Sequence, residues 1–239
     1  MIGLLVAYGY DDRVARRWNA FADSIGVAVE DRVVVDNRGG ARADLAGTNA
    51  QFEFSGYLEG LRFARDHCKT PERIVIFNDT LFGHHWAGGW ARLVNRIPPR
   101  AGIRGDGRRD RTAAEGWPGR YLASWHFDLV GQQAIRVFAE ALEQIIEQFD
   151  EPDLDPAYET HLERYLRASH WRGYSNPAGV RDGRARERKL ACIRAEHRLS
   201  AADSVSALLQ PHRGPTYRAV HAVDRVLSAR RRIASLRRI

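Results

Sequence analysis

Cysteine is scarce in this chain: 239 residues contain two, Cys68 and Cys192. They lie far apart and match no CxxC or Cys/His ligand spacing, so neither a disulfide framework nor a zinc site is indicated. A reducing, cytoplasmic compartment fits that usage. Long apolar runs are missing too. The opening stretch Ile2–Tyr8 is too short to span a bilayer and lacks the flanks of a signal peptide, and no later run is longer, so an integral membrane protein is not expected. Internal repeats and low-complexity tracts are also absent. The body has little excess charge: the net charge is +7, but residues 216–239 hold seven arginines against Asp224, or +6, leaving +1 for everything before them. A nucleic-acid-binding body would be expected to carry its own basic face, so no nucleic-acid partner is expected.

What is present is apolar content, 44%, in a chain long enough to bury one core plus an extension. Ile2–Tyr8 is a continuous apolar run. Val14, Trp18, Phe21 and Ile25 then recur at helical spacing, and Val33–Val35 is β-branched. Asp36-Asn37-Arg38-Gly39-Gly40 has turn chemistry, and a loop runs on through Gly47. Phe54, Tyr57, Leu58, Leu61 and Ala64 stripe a helix from Phe52 to about His67, before a second buried run, Ile74–Phe77. Apolar strands alternating with such helices predict a parallel, doubly wound sheet, because parallel neighbours need crossover helices. Ligands then bind beyond the strand carboxyl ends.

Further along come an aromatic segment, His84–Trp90, an arginine-rich loop, Arg100–Arg111, and a strand, Tyr121–Leu129. Ile135, Phe138, Leu142, Ile145, Ile146 and Phe149 line one face of a long helix. Another helix runs from Ala157 to about Ser169. Residues 176–188, rich in Gly, Pro and charge, read as a linker, dividing the chain into a domain over 1–175 and a basic helical extension over 176–239.

Several pieces stand in a fixed order: the first strand with Tyr8, then Val33-Val34-Val35-Asp36-Asn37, and Gly47-Thr48-Asn49. Ile74-Val75-Ile76-Phe77-Asn78-Asp79-Thr80 follows, and last Tyr158-Glu159 with Leu162, Gly173 and Tyr174. This ordered set resembles family 2 glycosyltransferases of the GT-A fold, and more closely their rhamnan-synthesis relatives, over roughly residues 1–175. The resemblance implies a GT-A-like, Rossmann-like, mainly parallel α/β sheet flanked by helices. It also implies sugar transfer from a nucleotide-diphosphate sugar to a glycan or glycolipid acceptor in polysaccharide biosynthesis, with inversion. Tyr8, Asp36, Asn37, Asn49, Asn78 and Asp79 would bind the donor, and Asp79 would hold a divalent cation, Mn²⁺ or Mg²⁺. Where the family supplies two acids, this chain has Asn78-Asp79-Thr80, so a catalytically silent binding or assembly protein is the alternative.

Breaking the sugar–diphosphate bond requires the leaving charge to be neutralised, work suited to a carboxylate-held cation. Asn78 and Asp79 also fit a plain capping role. Inversion requires a general base. Glu159 is implied by the resemblance, although a solvated helix-start glutamate explains it equally. His126 and Asp128 are rivals, placed on one face by strand alternation. The arginines of 100–111 suit phosphate oxygens, and Trp86, Trp90, Trp117 and Trp125 suit either sugar platforms or core. In the last segment Tyr217, Val220, Val223 and Leu227 form an apolar face opposite arginines. That pattern fits either peripheral contact with the inner face of an anionic membrane or packing on the body. Exposed apolar positions on the terminal helices also leave an oligomer open.

Overall fold

The computed structural model describes residues 1–68, 70–96, 100–109, 120–152, 155–168 and 185–236. Its strands are β1 (Ile2–Ala7), β2 (Arg32–Asp36), β3 (Leu45–Ala46), β4 (Arg73–Asn78), β5 (Gly102–Arg109) and β6 (Arg120–Val130). They form one sheet in the order β3-β2-β1-β4-β6-β5. β3, β2, β1 and β4 are mutually parallel, and β6 runs antiparallel to both β4 and β5. The protein is thus an α/β structure with a mixed, mostly parallel, Rossmann-like sheet flanked by helices.

β1 is apolar throughout because both of its faces are covered. Ile2, Leu4 and Val6 face one layer, with α2 (Phe52–His67) and α5 (Gln132–Glu147). Leu5 and Ala7 face the other, with α1 (Asp12–Ser24) and α4 (Ala87–Arg96). α2 approaches β1 closely through glycines one turn apart: a Cβ at Gly56 would lie 2.7 Å from Val6 Cγ1, and one at Gly60 would overlap Leu4. α1 starts where Asp11 accepts a hydrogen bond from Val14 N at 2.8 Å, the usual N-cap arrangement.

Two expectations are corrected here. The arginine-rich segment is not a loop over most of its length. Gly102–Arg109 is β5, whose outer edge is covered by residues 208–212 through Ile103 N to Leu208 O at 2.9 Å and Gln210 N to Ile103 O at 2.8 Å. The short β3 falls inside the stretch read as loop. Trp117, Arg111, Gly173 and Tyr174 lie outside the described residues.

The segment after residue 184 packs as part of the same core. α6 (Pro156–Ala168) packs on α7 (Ala185–Ala201), which lies across β6 and adds Ala191, Ala195 and Leu199 to the α2–α5 layer. After a short turn, α8 (Asp203–Ser206), comes α9 (Pro215–Leu236), which adds Val220 to the α1–α4 layer. Val223 and Val226 remain exposed. No described helix is long and apolar enough to cross a membrane.

Candidate functional site

The chain enters the sheet at β1, adds β2 and β3 on one side, and returns to place β4 on the other. The carboxyl ends of β1 and β4 therefore flank the point where strand order reverses, the usual crevice for ligands in such sheets.

Two carboxylates hold the turn after β1. Asp36, at the end of β2, accepts four backbone N–H groups: Gly9 and Tyr10 at 2.9 Å, Arg38 and Gly40 at 3.0 Å. Gly9 has φ +117°, which lets the turn bring successive N–H groups onto this acid. Burial pushes the Asp36 carboxyl up, but the four N–H groups outweigh it and hold it below its ordinary value. Asp79, just after β4, accepts Tyr8 N at 3.0 Å through Oδ2. Its other oxygen, Oδ1, has no partner among the described residues. Burial raises the Asp79 carboxyl above its ordinary value, against the pull of the Tyr8 N–H and the Arg38 charge.

The capping reading of Asn78-Asp79 is settled residue by residue. Asn78 Oδ1 takes Thr80 N at 3.0 Å at the start of α3 (Thr80–His84), whereas Asp79 makes no side-chain cap. Asn37 donates to Phe52 O at 2.9 Å and lies beside the Tyr8 phenol. Asn49 is exposed at the same end of the sheet, with φ 53°, a conformation asparagine tolerates.

A polar chain continues from Tyr8. Its hydroxyl donates to Glu53 Oε2 at 3.2 Å, in the first turn of α2. Glu53 Oε1 lies 2.7 Å from Ser124 Oγ on β6, and Ser124 Oγ lies 2.9 Å from Glu196 Oε1 on α7. Ser124 N also donates to Glu196 at 2.8 Å, and Tyr57 donates to Ser124 O at 2.6 Å. Glu53 and Glu196 escaped the sequence reading because an acid in a helix reads as surface. The available signal was the placement of Glu53 one turn into the helix that follows the second strand.

The other candidates are not brought to this end with free groups. His126 and Asp128 do share a face, as alternation predicts, but α4 covers it. Asp128 is fully buried and gripped by Arg73 at 2.8 Å through both oxygens. His126 is fully buried, donating from Nδ1 to Ile76 O at 3.1 Å, with Nε2 3.1 Å from His212 Nε2. Burial pushes His126 down to about 4. Glu159 is ion-paired with Arg194 at 3.0 Å on the α6–α7 surface. Trp90 and Trp125 are core residues, while Trp86 is half-buried beneath Arg92. Arg104 is buried and donates to Arg100 O and Gln210, so it is not poised over an open crevice.

Two cavities lie elsewhere. One of about 360 Å³ sits between α2 and α5 near Pro71 and Ile74, at the amino end of β4. The other, about 400 Å³, lies beside Phe21, Phe82 and His85. Neither is lined by Asp36 or Asp79.

Among the described residues no three His, Cys, Asp or Glu converge as a metal site. The free Asp79 oxygen fits a cation whose other positions are filled by phosphate and water, the arrangement Mg²⁺ favours with nucleotides. Neither a protein-family model nor a curated protein matches the chain.

Proposed function

We propose that the chain is a GT-A-type glycosyltransferase that moves a sugar from a nucleotide-diphosphate donor to a glycan or glycolipid acceptor. The transfer inverts the anomeric centre and uses Mn²⁺ or Mg²⁺. One observation carries this reading: Asp79 presents an unpartnered carboxylate oxygen at the switch point between β1 and β4. A cation held there supplies Lewis acidity to the departing diphosphate. Tyr8 N fixes the Asp79 carboxylate in orientation, and Asp36 fixes the turn that carries Tyr8. Arg38, whose side chain lies over Gly9, adds a positive charge at the same end. The arginine-rich end of the sequence, from Arg230 on, would suit contact with an anionic membrane surface bearing the acceptor.

The test is hydrolysis or transfer from UDP-, GDP- and dTDP-hexoses. Turnover should require added Mn²⁺ or Mg²⁺, stop with chelator, and drop roughly 10²–10³-fold in Asp79→Ala, the scale set by removing one electrostatic stabiliser. The fold should survive, with a melting temperature lower by about a few degrees for the Tyr8 N–H that loses its acceptor, and turnover indifferent to chelator would remove the cation.

A catalytically silent nucleotide-binding protein is the second reading. It is favoured by the saturation of Asp36, which leaves Asp79 as the acid with a free oxygen at these strand ends. Mn²⁺-dependent nucleotide binding without turnover would be its result.

A further inference from the structure

Resting on the transferase reading, we propose that Glu53 is the general base that takes the acceptor's hydroxyl proton, with Ser124 and Glu196 as its positioning partners. Four observations lead there. Glu53 and Asp79 are joined through one residue: Tyr8 donates its backbone N–H to Asp79 at 3.0 Å and its hydroxyl to Glu53 at 3.2 Å. The two acids are thus held at one end of the sheet by a single residue. Glu53 is only partly buried, unlike His126 and Asp128, which α4 seals from solvent. Glu159, the remaining acid, is engaged by Arg194.

The fourth observation concerns hydrogens. Ser124 has one hydroxyl hydrogen, yet two carboxylate oxygens lie within 2.7 and 2.9 Å of its Oγ. One contact is therefore short of a hydrogen until a proton arrives. A proton on Glu53 completes the chain: Glu53 Oε1–H donates to Ser124 Oγ, and Ser124 donates to Glu196 Oε1. The site is built to receive a proton without moving a heavy atom.

In the step itself the acceptor O–H bond breaks and its proton passes to the Glu53 carboxylate. The acceptor oxygen bonds to the anomeric carbon, and the bond from that carbon to the diphosphate oxygen breaks, its electron pair leaving with the diphosphate. The proton then returns to solvent from the partly exposed Glu53.

The titratable groups around Glu53 are Tyr8 at the end of β1, Tyr57 one turn along α2, and Cys192 and Glu196 on α7, with Lys189 beyond Cys192. Asp79 lies on the far side of Tyr8. Burial pushes Tyr8, Tyr57 and Cys192 upward, so none of the three takes or releases a proton near neutrality.

The experiment compares wild type, Glu53→Gln, Ser124→Ala and Glu159→Gln in the full chain, with UDP-, GDP- and dTDP-hexoses and Mn²⁺. Glu53→Gln should lower kcat roughly 10²–10⁴-fold, the range of positioned general bases, while donor KM and Mn²⁺-dependent nucleotide affinity stay put. Ser124→Ala should lower kcat less, again without moving KM, and it carries the test if Glu53→Gln does not fold. Glu159→Gln should match wild type. An active wild type with Glu53→Gln equally active, or with kcat and nucleotide affinity lost together, overturns the assignment and leaves the transferase reading standing. A wild type inert toward every donor removes both.

Discussion

The end of the sheet around Asp79 and the seam where α9 meets β5, β6 and the α3–α4 segment are both built on buried acids, and they differ in how many hydrogens each carboxylate receives. At the seam every acid is fully engaged. Asp106, on β5, accepts Trp125 Nε1 at 2.9 Å, Tyr217 OH at 2.8 Å and His221 Nε2 at 2.7 Å. Asp224, on α9, accepts His85 Nδ1 at 2.8 Å, Trp86 N at 2.7 Å and Trp90 Nε1 at 3.0 Å. Asp79 receives one N–H for two oxygens, and Glu53 and Glu196 share one hydroxyl hydrogen. A buried acid with all its acceptors filled holds elements together, and one with acceptors to spare is available to a ligand.

The strongest way to break this comparison is to empty the seam. Burial pushes the Asp106 carboxyl up, but the His221 hydrogen bond and the Arg108 charge hold it well below the usual carboxylate range. Asp106→Ala leaves Trp125 Nε1 and His221 Nε2 without their acceptor and Tyr217 with Gly107 O alone, at 3.1 Å. It should cost about 2–6 kcal/mol, at roughly 1–3 kcal/mol for each of the two donors left unpaired. The check is urea unfolding, with nucleotide affinity measured below the transition. A variant of unchanged stability would mean that α9 is not held at this seam.

The next effect is a pH dependence that arises beside the seam. His126 donates from Nδ1 to a carbonyl, so in its neutral ring Nε2 accepts the hydrogen of His212 Nε2. Both rings are pushed down by burial, His126 to about 4. A base whose folded pKa lies below its unfolded value near 6.5 leaves the unfolded chain to bind the proton first. Stability is therefore full above about pH 6.5 and lost as pH falls toward 4, by roughly 3 kcal/mol for His126. Urea midpoints should decline over that window. His126→Phe, which takes no proton, should make the decline shallower and leave the part due to His212, and a parallel decline in the variant would place its origin elsewhere.

The strands and α2 were legible because their signal is local. Apolar runs over Ile2–Tyr8, Val33–Val35 and Ile74–Phe77, and a stripe over Phe52–His67, give β1, β2, β4 and α2 directly, whereas the two-residue β3 was read as loop. β5 was not, since Gly102–Arg109 carries one apolar side chain and owes its form to pairing with β6 and cover from residues 208–212. At the site, Asp36 and Asp79 were legible as acids at strand ends. Glu53, Ser124 and Glu196 were not, because they meet only when α2, β6 and α7 pack, at separations of about 70 residues. Asp224, one acid among arginines in sequence, turns out to be the buried acceptor that fastens α9.

Asp36 is where the comparison can be sharpened, because it stands at the ligand end yet is saturated like the acids of the seam. As a donor ligand its loss would weaken nucleotide binding and leave stability alone. As a clamp, Asp36→Asn would turn one acceptor oxygen into a donor amide facing two backbone N–H groups. That should cost roughly 1–3 kcal/mol, the penalty for buried groups left unpaired. The melting temperature should drop by about 2–4 °C for each kcal/mol in a chain of this size. The pH dependence separates the two further. Its folded pKa is depressed, so Asp36 contributes stability that is present above its unfolded value, near 4, and is lost as pH falls through the folded value. The Asn variant should start lower at pH 7 and converge on wild type at acid pH. A variant that keeps the wild-type melting temperature but loses nucleotide affinity would return Asp36 to the donor's side, because only a carboxylate with a lone pair to spare can behave so.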